Sequence, residues 1–218
     1  MVSVRSIETI ERNAKEYLSK LARTGVIEKV TWGWYWIPDS ATDIWQFLRK
    51  DRNFKVVSSQ TAASIWNGDF VHRDVYVLKV TDASYGRALQ EFVKKRGWKV
   101  ELEYVKPNEV RYKHVDGLLV EDVEESIIEC VRKSAFTDAF ATLYAHRNRI
   151  NPGKLAQRAY WTRISGSDVR ARQVLAYGYH AANKLEGRKV FPEKAVRLHD
   201  DSVKRDVEEA VEKVVDLV

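Results

Sequence analysis

TWGWYWIP, residues 31–38, sets three of the chain's seven tryptophans on alternate positions around a single glycine. In a β-strand, side chains two apart share a face. A strand here sends Trp34 and Trp36 one way and Tyr35 and Ile37 the other, so both faces need cover. The preceding VIEKV (26–30) reads as a partner strand, and Thr31, Trp32 and Gly33 make the turn of a hairpin. Pro38, which has no N–H, ends the second strand. One helix covers one face only, and the expectation is that it covers Tyr35 and Ile37. Trp34 and Trp36 then either pack between domains or form a protein-contact surface, a role in which tryptophan is enriched.

Working outward, residues 6–22 read as a helix capped by Ser6. Ile7, Ile10, Ala14, Tyr17, Leu18 and Leu21 form its apolar stripe, and Gly25 stops it. Downstream, a helix follows the caps Asp39 and Ser40, with Ile44, Trp45 and Leu48 inward. Then come a strand at 54–57, a helix at 58–66, a strand at 74–80, a helix at 84–97 and a strand at 98–105. EVRYKHV (109–115) is expected to pair with that last strand across Lys106, Pro107 and Asn108. From Val120 on, four helical segments follow (120–133, 134–147, 151–163 and 166–187), then an acidic amphipathic helix at 201–218. The fold class is α+β, in three parts: residues 1–40, a mixed α/β subdomain at 41–118, and a helical C-terminal region at 119–218.

A chain of 218 residues, 44% hydrophobic and 31% charged, is long enough for a sizeable core. No run approaches the roughly 18 apolar residues of a membrane span, and the N-terminal stretch lacks the apolar middle of a secretory signal. The expected location is the cytoplasm, and abundant charge of both signs with one methionine points to a thermophilic source. The excess of positive charge sits in one block. Residues 147–172 hold seven bases (Arg147, Arg149, Lys154, Arg158, Arg163, Arg170 and Arg172) against one acid, Asp168, while residues 199–218 carry seven acids against three bases. That asymmetry points to a basic working face and a separate acidic helix.

Catalytic motifs do not emerge. No phosphate-cradling loop, dinucleotide fingerprint or nucleophile elbow is present. The single cysteine, Cys130, falls in a helical apolar pattern and removes intramolecular disulfides, and the five histidines never stand three or four apart. No cofactor or metal is called for. The one alternative is a metal-dependent nuclease built on Asp74, Glu101 and Glu103, although alternation accounts for both glutamates as the solvent face of a strand.

Residues 21–38, Leu-x3-Gly-x-Ile-x2-Val-x2-Gly-x-Tyr-x2-Pro, resemble the end of the winged-helix module in the AbiEi-like antitoxins of type IV toxin–antitoxin systems. SSQTAASIWNG, DVYVLKV, HVDGLLVEDVEESIIECV and INPGKLAQRA are similar to later segments of that family. The resemblance implies a truncated winged helix, one helix plus a wing, because only five residues precede Ser6. It implies a non-enzymatic, antitoxin-like transcriptional regulator with DNA and a cognate toxin as partners. Nucleic acid would meet the basic block 147–172, with Arg12, Lys15, Lys20, Arg23, Lys29 and the stacking residue Trp32 as a second surface. The alternative is a protein-interaction antitoxin or homo-oligomer that does not touch DNA and offers its acidic helix and Trp34 and Trp36 to a partner.

Overall fold

The computed structural model describes residues 1–38, 41, 43–68, 74–151, 155, 167–192 and 198–216, without the side chains of residues 167 and 168. Its strands are β1 (Val2–Ser3), β2 (Glu28–Thr31), β3 (Trp34–Trp36), β4 (Lys55–Val57), β5 (Tyr76–Val80), β6 (Val100–Tyr104), β7 (Tyr112–Val115) and β8 (Leu118–Glu121). Its helices are α1 (Val4–Glu8), α2 (Ala14–Arg23), α3 (Ile44–Lys50), α4 (Ser59–Trp66), α5 (Ala83–Lys95), α6 (Val123–Arg132), α7 (Phe136–Ala145), α8 (Ser167–Glu186) and α9 (Asp201–Val215). The chain is α+β, with two small sheets and a helical C-terminal region. It divides into two compact units, residues 1–57 with 73–120, and residues 58–72 with 121–218.

The tryptophan-rich stretch is the middle strand of a three-stranded antiparallel sheet ordered β1-β3-β2. Gly33 closes the β2–β3 turn at φ +76°, a conformation that a Cβ would oppose. Both faces of β3 are covered. On one, Tyr35 packs with Leu18 and Ile27, with Val4, Ile7 and Leu21 around them. On the other, the Trp36 ring lies 5.3 Å from Phe47 of α3 and 5.0 Å from Phe92 of α5. Trp34 lies 5.7 Å from Tyr85, and its Nε1 donates to Ser84 Oγ at 2.9 Å. Of the two roles left open for Trp34 and Trp36, packing against the 41–118 region holds and the contact surface is corrected: both are core residues. Ile37, expected in the core, is 55% exposed, because β3 ends before it.

The N-terminal segment also differs from the single helix read at 6–22. It forms β1, then α1, then α2. Ser3, not Ser6, caps α1, the two serines completing a capping box. Thr9 Oγ1 bonds back to the Ser6 carbonyl, and the Glu11 carboxylate accepts from the Asn13 amide, so the helix breaks between them. Ile10 and Tyr17 leave the apolar stripe and are exposed.

The second sheet of the same unit runs β6-β5-β4-β8-β7. β5 and β6 are parallel, joined by the crossover helix α5, while β4 is antiparallel to β5 and parallel to β8. β7 does not pair with β6 as expected; it lies at the opposite edge. The cause is the Asp116-Gly117 turn, both residues at positive φ, which folds β7 onto β8 as a two-residue hairpin. Val120 and Glu121, expected to begin a helix, belong to that hairpin's second strand, Leu118–Glu121. Asp43, Asp82, Asp122 and Asp200 each accept a backbone N–H at the start of α3, α5, α6 and α9.

In the second unit α4 packs on α6 and α7, and α9 packs on α7 and α8. Gly178 of α8 permits a close approach, since a Cβ there would stand 2.1 Å from the Phe140 ring. Asn183 ties down the stretch after α8, accepting from the Val190 and Phe191 amides and donating to the Phe191 carbonyl. Helix α4, expected within the 41–118 subdomain, belongs with these C-terminal helices, and the 1–40 segment shares its unit with the larger sheet. At the start of α4, the buried Glu121 carboxylate accepts from Ser58 Oγ at 2.8 Å and from the Ser59 amide at 3.0 Å. The segment 151–163, read as a helix, and the caps Asp39 and Ser40 lie outside the described residues.

Removing a buried tryptophan leaves a cavity that its neighbours refill only in part. Trp36→Ala is expected to cost about 3–5 kcal/mol, read as a lowered urea midpoint of tryptophan fluorescence. Trp32→Ala, at the exposed turn, should leave that midpoint unchanged.

Candidate functional site

Helix α2 turns Ala14 and Leu18 inward, which leaves Lys15, Lys20 and Arg23 on solvent-facing positions. Arg12 in the turn before it and Lys29 on β2 are also exposed. None of these five cations has an ion-pair partner among the described residues. Glu28, an acid beside Lys29, is already engaged by Arg96 at 3.0 Å and Lys95 at 3.9 Å. Trp32, at the hairpin turn, is 80% exposed. The first unit therefore presents five cations and a projecting indole on one helix, its leading turn and one hairpin. The resemblance-based expectation of a lone helix is corrected here, because α1 precedes α2 and makes a helix pair ahead of the hairpin.

The basic block at 147–172 belongs to the second unit and is only partly described. Arg149, Arg170 and Arg172 are exposed. Arg147 holds its guanidinium carbon 5.8 Å from the Tyr144 ring. The Tyr144 hydroxyl is pushed up to about 12, by burial first and the Glu186 carboxylate second, with Arg147 opposing. Arg170 contributes, after the hydrogen bonds from Ser202 and Val203, to holding the Asp200 carboxyl below its usual range. Lys154, Arg158 and Arg163 lie outside the described residues. The two basic sets thus fall on different units.

The residues of the nuclease alternative do not gather. Glu101 is exposed, and Glu103 sits opposite Lys79 in the β5–β6 ladder with its carboxylate 3.9 Å from the ammonium. Asp74 precedes β5, and among the described residues no three metal-ligating side chains stand together. Cys130 is buried.

The sequence reading missed a charged cluster inside the first unit. Asp51, directly after α3, has its side chain fully buried. Its Oδ1 accepts from the Met1 ammonium at 2.7 Å and from Asn53 Nδ2 at 2.6 Å, and its Oδ2 accepts from the Tyr85 hydroxyl at 2.5 Å. The Lys55 ammonium lies 3.4 Å from Oδ2 and also donates to the Asp51 carbonyl. Burial works to raise the Asp51 carboxyl, but Lys55, the Met1 ammonium and the Tyr85 hydroxyl together hold it below its ordinary value. Burial in turn holds the Lys55 ammonium low and pushes the Tyr85 hydroxyl well up. The available signal was Lys55 itself, a charged residue in an otherwise apolar strand FKVV.

No family model matches the chain, and no curated protein matches it.

A carboxyl that titrates lower in the folded state than in the unfolded chain stabilises fully above the unfolded value and loses that stabilisation as pH falls through the folded one. Asp51→Asn should therefore cost about 3 kcal/mol near neutrality, since it strands two buried cations. The gap from the parent protein should narrow below the ordinary carboxyl value of 3.8, as followed by urea unfolding across a pH series.

Proposed function

We propose that the chain is a non-enzymatic, antitoxin-like regulator that binds duplex DNA with α2 and the β2–β3 hairpin. The observation that carries this reading is the order of parts in the first unit. A short helix, a turn, a second helix and then a hairpin with an exposed tip follow the plan of a helix-turn-helix with a wing. Five exposed cations without acidic partners among the described residues lie on those parts, with Glu8, Glu11 and Glu16 also exposed there; the cations suit a polyanion. Lys15, Lys20 and Arg23 on α2, with Arg12 and Lys29 flanking, bind phosphates and so set position more than sequence. Half-exposed Tyr17, on the same helix, and Trp32 at the hairpin tip supply flat surfaces against sugars or base edges. The exposed arginines of the second unit add a further phosphate-binding set. The setting is cytoplasmic, and a cognate toxin and a second copy of the chain are the protein partners of this reading.

A second reading, a protein-binding antitoxin module without DNA contact, draws on α9. That helix buries Val203, Val207, Ala210, Val211 and Val214 and turns Asp206, Glu209, Glu212 and Asp216 to solvent along one stripe. Such a stripe complements a basic protein.

Fluorescence anisotropy of a labelled random duplex over a salt series separates the two. Each neutralised phosphate contributes roughly −0.9 to the log–log slope, so the five cations of the first unit predict a slope of about −4 to −5. Lys20→Glu with Arg23→Glu should flatten it by about 2. Absence of binding at low salt overturns the DNA reading and leaves the protein-binding one.

A further inference from the structure

The Asp51 cluster forms the inner wall of a cleft that nothing above uses. The cleft measures about 340 Å³ and is bounded by the C-terminal end of α3, the loop 51–54, β4, and the β7–β8 hairpin, all within the first unit. Sites for small ligands run from roughly 300 to 1,000 Å³, with apolar walls and a few convergent polar groups. Here Leu48, Val57 and Leu118 supply the apolar floor, and Arg49, Arg52 and His114 stand around it.

Among the described residues that line the cleft Asp51 is the one acid, and it is already committed, which leaves the Arg52 cation facing the opening. Asp51 has both carboxylate oxygens committed to the Met1 ammonium, Asn53 and Tyr85, with Lys55 beside it. It is not available to pair with the arginines. Arg49 donates from Nε to the Asp116 carbonyl at 2.9 Å, which anchors its guanidinium against the β7–β8 turn. Arg52 is exposed and meets no acid among the described residues. An arginine held at such a mouth offers a planar fork suited to a phosphate.

An aromatic run adjoins these cations. Phe54, which lines the cleft, meets the Tyr112 ring at 5.6 Å, and Tyr112 meets His114 at 6.2 Å. Tyr112 and His114 are two apart on β7 and share a face, and Tyr112 remains 40% exposed. The other face of this edge strand carries Lys113, with Arg111 just before it, both exposed. Cations interleaved with exposed rings beside an apolar floor are the combination that takes an unstacked base and its phosphate. A simple inorganic anion would use the arginines and leave the rings idle. A duplex keeps its bases stacked and would not enter.

We propose that this cleft binds a nucleotide unit, with the phosphate on Arg52 and Arg49 and the base against Phe54 and Tyr112. The unit is either a free mononucleotide or one residue of a single strand, and the same atoms recognise both. The site is independent of the α2–hairpin surface and does not rest on the duplex-binding reading.

The test is calorimetric titration of the full chain with adenosine 5′-monophosphate, inorganic phosphate and a short oligothymidine strand. The monophosphate is expected to bind at least about tenfold more tightly than phosphate, because stacking adds to the ionic contact. Arg52→Glu should weaken the monophosphate by about tenfold or more, while thermal melting and duplex binding stay as in the parent. Tyr112→Ala should weaken the monophosphate and leave phosphate binding unchanged. A strand that binds well above the monophosphate assigns the site to single strands, and equal affinities assign it to free nucleotides; both support the proposal. It is overturned if neither nucleotide nor strand binds, if phosphate binds as tightly as the monophosphate, or if Arg52→Glu changes nothing. Because duplex binding is read on the same variants, loss of one site is told apart from loss of the other.

Discussion

The first unit depends on burying a strand from both sides. β3 has one neighbour on each edge and helices on each face, with Tyr35 closed in by α1 and α2 and Trp34 and Trp36 closed in by α3 and α5. Three large aromatics on successive positions make a two-sided core from very little chain. The tilted ring contacts among Trp36, Phe47 and Phe92 add to the area they remove from water. They also join the small sheet to the helices over the larger one, so the hairpin is held as part of the unit and only its turn projects.

Electrostatics follow from that packing. Two acids of the first unit are drawn into contacts of their own, Glu28 with Lys95 and Arg96, Asp51 with Lys55 and Tyr85, while Glu8, Glu11 and Glu16 stay exposed on the helix pair and its turn. The cations of α2 and β2 have no such partners among the described residues and remain outward. A chain whose excess charge is concentrated elsewhere in the sequence can still present exposed cations where the acid beside them, here Glu28, is engaged by other bases. Net charge counted along the sequence does not reveal this, since it cannot tell a committed carboxylate from an exposed one.

How much was legible follows from the range of each signal. The hairpin, its Gly33 turn, β4, β5, α5, β6 and the last helices were readable, because period, caps and turn residues act over a few positions. What failed was long range or subtle. Two short helices look like one when Ile10 and Tyr17 continue the stripe, and only the Ser6–Thr9 and Glu11–Asn13 contacts break it. The partner of β7 was misassigned because proximity to β6 outweighed the Asp116-Gly117 signal. At the site, the exposed cations of α2 and Trp32 were visible, while the Asp51 cluster was not, since its members come from the N-terminus, the α3–β4 connection and α5. The fate of Trp34 and Trp36 was open for the same reason: their cover arrives from α3 and α5.

The path of the chain between its two units has a consequence for synthesis. β4 ends at Val57, α4 of the other unit begins two residues later, and the chain returns for β5 to β8 before Val120 settles beside Val57 in a parallel bridge. During translation β4 therefore gains its β5 neighbour first, and its other edge waits for β8. Helix α4 waits as well, because Glu121, whose carboxylate secures its first turn, follows directly after Val120. A ribosome-bound chain that stops short of this point carries an open strand edge and an unanchored helix at once. The emergence of Leu118–Glu121 closes the first and fastens the second in a single step.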